Sequence, residues 1–174
     1  MSPRQEDELS AAAQIDALLA ADKELAGVAT WVDGNNSDDK RIRWPILVGG
    51  RMSAAQLALT AYPNAADPSF TISLIQRTCV WRLDFDPPYR THDNPIDRAH
   101  LLGAARVRGP HYHAWADNRH LATAASLPKT LDCARELPKR IRQWEQAFRW
   151  FCAQTKISFE PSQLIGFPPR EGLL

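Results

Sequence analysis

No run in this chain reaches the roughly 18 consecutive apolar residues that a membrane span needs, and its opening stretch, MSPRQEDELS, has no apolar core behind a basic segment. The expectation is a cytoplasmic protein with no membrane partner. Cysteine is scarce: Cys79, Cys133 and Cys152 are odd in number, far apart and set among apolar neighbours. That excludes a disulfide framework and a CxxC metal or redox motif, and reads as buried thiols. An excess of either charge is missing too, with 21 Lys and Arg against 20 Asp and Glu for a net +1. No overall field recruits nucleic acid or an anionic surface, so any such binding must come from a local patch. The HExxH pattern and the His/Cys pattern of zinc deaminases do not occur. Neither do internal repeats, low-complexity tracts or linkers, so residues 1–174 are expected to form a single domain.

What is present is an ordinary globular composition, 44% apolar and 24% charged, on a chain long enough to bury a core without disulfides or a structural metal. Ser2-Pro3-Arg4-Gln5 has the order of an N-cap, a first-turn proline and a capping-box glutamine. A helix is predicted behind it, with Ala11, Ala12, Ile15, Leu18, Leu19 and Ala26 on one face; Asp22 interrupts the stripe, so its last turn is the weak part. GVATWVDG then predicts a short strand running into the polar turn DGNNSDDK, and RIRWPILVGG a second strand. AQLALTAY, FTISLI and CVWRLDF alternate as half-buried antiparallel strands. DPPYRTHDNP, with three prolines, predicts an exposed connection. From Pro138 the period lengthens to that of a helix, with Ile141, Trp144, Phe148, Phe151 and Cys152 on one arc and Trp150 opposite. The expected fold is α+β: an antiparallel sheet of about five or six strands with an N-terminal and a C-terminal helix packed on it.

The chemistry concentrates in RVRGPHYHAWADNRH, Arg106 to His120, which holds three of the five histidines. His111 and His113 are two apart, so on a strand both imidazoles project from one face, and Pro110 suits an edge. A transition metal could use such a pair with Asp117, His120 or His92 as third ligand, but spacing alone does not establish it; the expectation is no metal and no cofactor. Metal-independent RNA cleavage needs a proton acceptor, a proton donor and cations for the charge on phosphorus. His111, His113 and His120 supply the first two, and Arg108 and Arg119, with Arg106 nearby, the last. The same residues also fit a solvated strand end, with Arg119 paired to Asp117. Arg82, Asp84 and Asp86 offer a carboxylate pair that charges facing water explain as well.

With GPHYHAWADNR, ARELP and FRWFC, roughly the last half of the chain resembles small uncharacterised bacterial proteins of mobile elements and of toxin-antitoxin or phage-conflict loci. The resemblance implies an α+β scaffold on which a Gly-Pro-His-x-His segment precedes an aromatic helix; it brings no established activity. Two functions are expected from the residues themselves: a small ribonuclease-like toxin acting on RNA through the histidines and arginines, or a non-enzymatic inhibitor or regulator. The second would bind a protein partner through Trp150, Tyr89, His92 and the histidine segment.

Overall fold

A computed structural model describes residues 10–36, 38–123 and 126–170; the Ser2–Gln5 capping box lies outside them. Helix α1 (Ala11–Ala20) starts at Ser10, whose hydroxyl accepts the Ala13 N–H, and buries Ile15 and Leu18. It stops two turns short of Ala26 because the chain turns into strand β1 (Lys23–Leu25) just after Asp22. Strand β2 (Val32–Asp33) pairs with β3 (Lys40–Val48), and β3, β4 (Arg51–Tyr62), β5 (Ser69–Gln76) and β6 (Thr78–Phe85) follow as an antiparallel meander. Gly49 and Gly50, with φ of +57° and +72°, make the two-residue turn between β3 and β4. Both positions need a left-handed backbone in this type of hairpin, which glycine adopts without strain.

After β6 the chain makes an excursion before rejoining the sheet. Strand β7 (Thr91–Asp93), helix α2 (Ala99–Leu102) and strand β8 (Arg106–Arg108) come first, with β7 and β8 paired as a separate ribbon. Strand β9 (His111–Ala114) then returns beside β6, followed by helix α3 (Trp115–Asn118), strand β10 (Arg135–Glu136), helix α4 (Trp144–Gln154) and strand β11 (Ile157–Ser158). The main sheet runs β10-β9-β6-β5-β4-β3-β1-β11, with β2 also on β3. It is α+β and antiparallel but for the β1–β11 pair. Its nine strands exceed the five or six expected, because two- and three-residue strands are too short to show an alternation. For the same reason the DPPYRTHDNP connection conceals β7. Helix α4 opens at Trp144 rather than Pro138, which only makes a turn accepting the Ile141 N–H.

One sheet face is apolar. Trp44, Leu57, Leu59, Ile72, Leu74 and Leu83 are fully buried there, and the rings of α4 meet it: Phe148 against Trp44, Trp144 against Phe70, Phe151 against Trp81. Cys133 and Cys152 are buried free thiols and Cys79 is half-buried; burial pushes the Cys152 thiol up to about 12.

Lys23 is 1% exposed. Its ammonium donates to the carbonyls of Leu18 (2.7 Å) and Ala21 (2.5 Å), groups that the end of α1 leaves without helical partners. Burial, with the charge of Lys156, lowers its pKa to about 8. Lys23→Met is expected to cost about 1–3 kcal/mol at neutral pH, because it orphans those carbonyls. From about pH 8 to the ordinary lysine range near 10.5, the folded amine has released its proton while the unfolded one keeps it, so wild-type stability rises with pH. Denaturant titrations across that window should show the gap between wild type and variant widening.

Candidate functional site

The other face of β5, β6 and β9 is polar, and cross-strand pairing sets it out in two rows. Thr71, Asp84 and His111 stand opposite one another in one row, and Ser73, Arg82 and His113 in the next. Strand alternation puts all six on one side. The HxH pair of β9 thus meets the RxD pair of β6 across the ladder. His111 and His113 do share a face, but β9 is not an edge strand: β6 lies on one side and β10 on the other. Pro110 precedes β9, where its missing N–H breaks no ladder, and its carbonyl accepts from Leu137.

His92 arrives from the separate β7–β8 ribbon. Its ring lies 5.5 Å from that of His111 and 4.8 Å from that of His113, centroid to centroid, and the latter two are 5.1 Å apart. One nitrogen of each imidazole lies within 4.8 Å of the other two. Hydrogen bonds orient the rings. His92 Nε2 donates to the Asp132 carbonyl (2.8 Å) and His111 Nδ1 to the Gly109 carbonyl (2.8 Å). Arg82 Nη2 is 3.0 Å from His113 Nε2, and a guanidinium can only donate, so that nitrogen accepts. His113 is fully buried, and its Nδ1 has no hydrogen-bond partner among the described residues.

Asp84 ties the wall together. Its Oδ2 takes the Arg82 Nε–H at 2.6 Å and lies 3.6 Å from His111 Nε2 and 3.5 Å from His113 Nε2, while Oδ1 accepts from Thr71 (2.9 Å). Burial works to raise its pKa, but the Arg82 guanidinium and the adjoining imidazoles of His113 and His111 outweigh it and hold the carboxyl at about 2. Asp86, just beyond β6, goes the other way, raised by burial and by the negative charge of Asp84. Burial lowers the His113 pKa against the pull of Asp84, aided by Arg82 and His111.

This wall borders a pocket of about 730 Å³, lined by Arg82, Asp84, Asp86, His92 and His111 and by Asp38, Asp67, Tyr89 and Arg90. The sequence-predicted residues therefore divide. His92, His111 and His113 come together. His120 is exposed and borders a different, smaller pocket with Asp117 and Cys133. Arg119 makes a two-pronged ion pair with Asp16 of α1, not with Asp117, which Arg135 holds. Arg108 is exposed on β8, and Arg106 pairs with Asp93. Tyr89 is 70% exposed at the pocket. Trp150 is not a free surface anchor: it is half-buried, edge-on to Trp81 (5.7 Å) and Tyr112 (5.1 Å), because β9 widens the sheet under that flank of α4. Arg82, Asp84 and Asp86 belong to the site, and the signal for them was an RxD pair with the same two-residue period as HxH.

His92 is positioned from behind. Asn94, two residues on, accepts the Ala134 N–H (2.7 Å) and donates to the carbonyls of Ala134 and Ala104 (2.9 Å each). Asn118 accepts the Cys133 N–H (2.7 Å) and donates to its carbonyl (3.0 Å). Asn94→Ala leaves buried backbone groups unpaired and is expected to cost about 3 kcal/mol. Amide hydrogen exchange should show it loosening the Ala134 N–H and residues 91–94 before the meander, and uniform protection loss would contradict the local role.

Comparison with protein-family models, with curated proteins and with solved structures finds no match to this chain.

Proposed function

We propose that this protein is a hydrolase acting on a small, neutral or cationic polar substrate in the pocket walled by Arg82, Asp84, Asp86, His92 and His111. The observation that carries the reading is the convergence of two imidazoles, a guanidinium and two carboxylates on one pocket wall, with the third imidazole, His113, buried directly behind it, supplied by two separate sheets. Scattered surface charges have no reason to converge so, whereas an active site needs groups of unlike chemistry within reach of one bound molecule.

The two carboxylates have different surroundings and so different roles. Asp84 is held by Arg82 and Thr71 against the imidazoles and stays a fixed negative charge. Among the described residues Asp86 has a long ion pair, 3.9 Å, to the well-exposed Arg90, and its carboxyl is the group placed to exchange a proton with a water or a leaving group. The histidine wall is then the electrophilic side, which polarises the bond to be cleaved.

The pocket also selects by charge. Asp38, Asp67, Asp84 and Asp86 line it against Arg82 and Arg90, so a polyanion is repelled. Arg108 and Arg119, which RNA cleavage would need near phosphorus, do not line it. A small neutral ester, amide or glycoside fits better than a nucleic acid.

Screening the purified chain against chromogenic esters, amides, glycosides and phosphodiesters should find turnover among the neutral substrates. Asp86→Asn should lower kcat on the order of a hundredfold with the fold intact, while His100→Ala and His120→Ala leave it unchanged. A silent panel, or turnover indifferent to Asp86→Asn, would count against the hydrolase.

A further inference from the structure

We propose that His92, His111 and His113, together with Asp84, form a binding site for a divalent first-row transition ion of the zinc type, and that Arg82 holds the site's place when the ion is absent. This deepens the hydrolase reading by naming the electrophile on the histidine wall. Ion binding itself stands without any catalytic use of it.

The lone pairs decide which atoms can serve. His92 gives its Nε2 proton to the Asp132 carbonyl, which leaves Nδ1 bare. His111 gives its Nδ1 proton to the Gly109 carbonyl, which leaves Nε2 bare. His113 Nε2 accepts from Arg82 and so carries a lone pair as well. Imidazoles whose other ring nitrogen donates to a backbone carbonyl, as in His92 and His111, are how proteins orient histidine ligands.

The spacing agrees. Tetrahedral bonds of about 2.0–2.1 Å place neighbouring ligand atoms about 3.4 Å apart. Asp84 Oδ2 is already 3.6 Å from His111 Nε2 and 3.5 Å from His113 Nε2. The three ring nitrogens, within 4.8 Å of one another, need to close by about 1.4 Å at most. A set of three imidazoles and one carboxylate suits zinc and its neighbours rather than magnesium or calcium, which prefer oxygen alone.

Arg82 makes its two contacts with two of the atoms an ion would take, Asp84 Oδ2 through Nε and His113 Nε2 through Nη2. It supplies the positive charge that the buried carboxylate requires. A third of its side chain is exposed and it borders the pocket, so it has somewhere to go. A polar network built only for packing leaves one fact without a purpose: the fully buried His113 has an Nδ1 with no hydrogen-bond partner among the described residues. The ring is held at that price for what its other nitrogen does.

The test uses the full chain, stripped with chelator and dialysed. Zinc(II) titrated by calorimetry should bind at one ion per chain, and cobalt(II) should give the visible ligand-field bands of a low-coordinate site. His111→Ala should weaken binding at least tenfold. So should His92→Ala, the variant that leaves the sheet untouched. His100→Ala and His120→Ala should change nothing, which separates this site from adventitious binding at exposed imidazoles. Arg82→Met should tighten binding about tenfold. No binding by wild type or Arg82→Met, or binding indifferent to His92→Ala and His111→Ala, overturns the site. Equal affinity in wild type and Arg82→Met overturns the placeholder role. The ion bound with every substrate silent overturns the hydrolase alone, whereas hydrolysis by ion-free protein in excess chelator overturns the metal alone.

Discussion

The backbone of Asp132 to Ala134 is the rail on which the polar half of the molecule is mounted. Three successive residues are each gripped by a side chain from elsewhere: the Asp132 carbonyl by His92, both backbone groups of Cys133 by Asn118, and both of Ala134 by Asn94. Cys133, Ala134, Asn94 and Asn118 are buried, so these groups have no water to fall back on and their bonds are obligatory. The β7–β8 ribbon shares no ladder with the main sheet, and these bonds fix where it sits. The placing of His92 follows from them, and with it the closure of the pocket.

The rail also explains what the sequence did and did not reveal. Long strands with a clean alternation, such as AQLALTAY and FTISLI, declare themselves, and so does the aromatic arc of α4. An asparagine that pairs with a backbone two elements away, as Asn94 and Asn118 do, looks like any turn residue in sequence. The histidine segment stood out by its composition, and its alternation gave the shared face of His111 and His113. Its partners did not stand out, since pairing β6 with β9 across a long excursion leaves no local pattern. Arg119 was matched to the near Asp117 when the fold brings it to Asp16, 103 residues away. Proximity in sequence is a poor guide to ion pairs between loops and helices.

Strands β6 and β9 do two jobs at once. Leu83 and Trp81 face the core with Tyr112, whose ring stacks on Trp81 at 5.2 Å, while Arg82, Asp84, His111 and His113 face the other way. Each polar side chain of the site is thus backed by a residue locked in aromatic packing. A one-residue slip of β9 against β6 would turn the histidines into the core and Tyr112 out of it. The register is therefore enforced by hydrophobic burial on one face, and the polar face inherits a precision that its hydrogen bonds alone could not supply.

The order of strands in the sheet carries a kinetic consequence. Strands β3 to β6 pair each with the next in sequence, so their contacts close short loops, while β9 must cross the β7–β8 excursion and β11 must return to β1 from the far end of the chain. Short loops close early in folding and long ones late. The meander is the natural nucleus, and the histidine wall is assembled on it after the main barrier. Substitutions in the wall that weaken the native state therefore speed unfolding more than they slow folding, and the protein can lose them and still reach its fold.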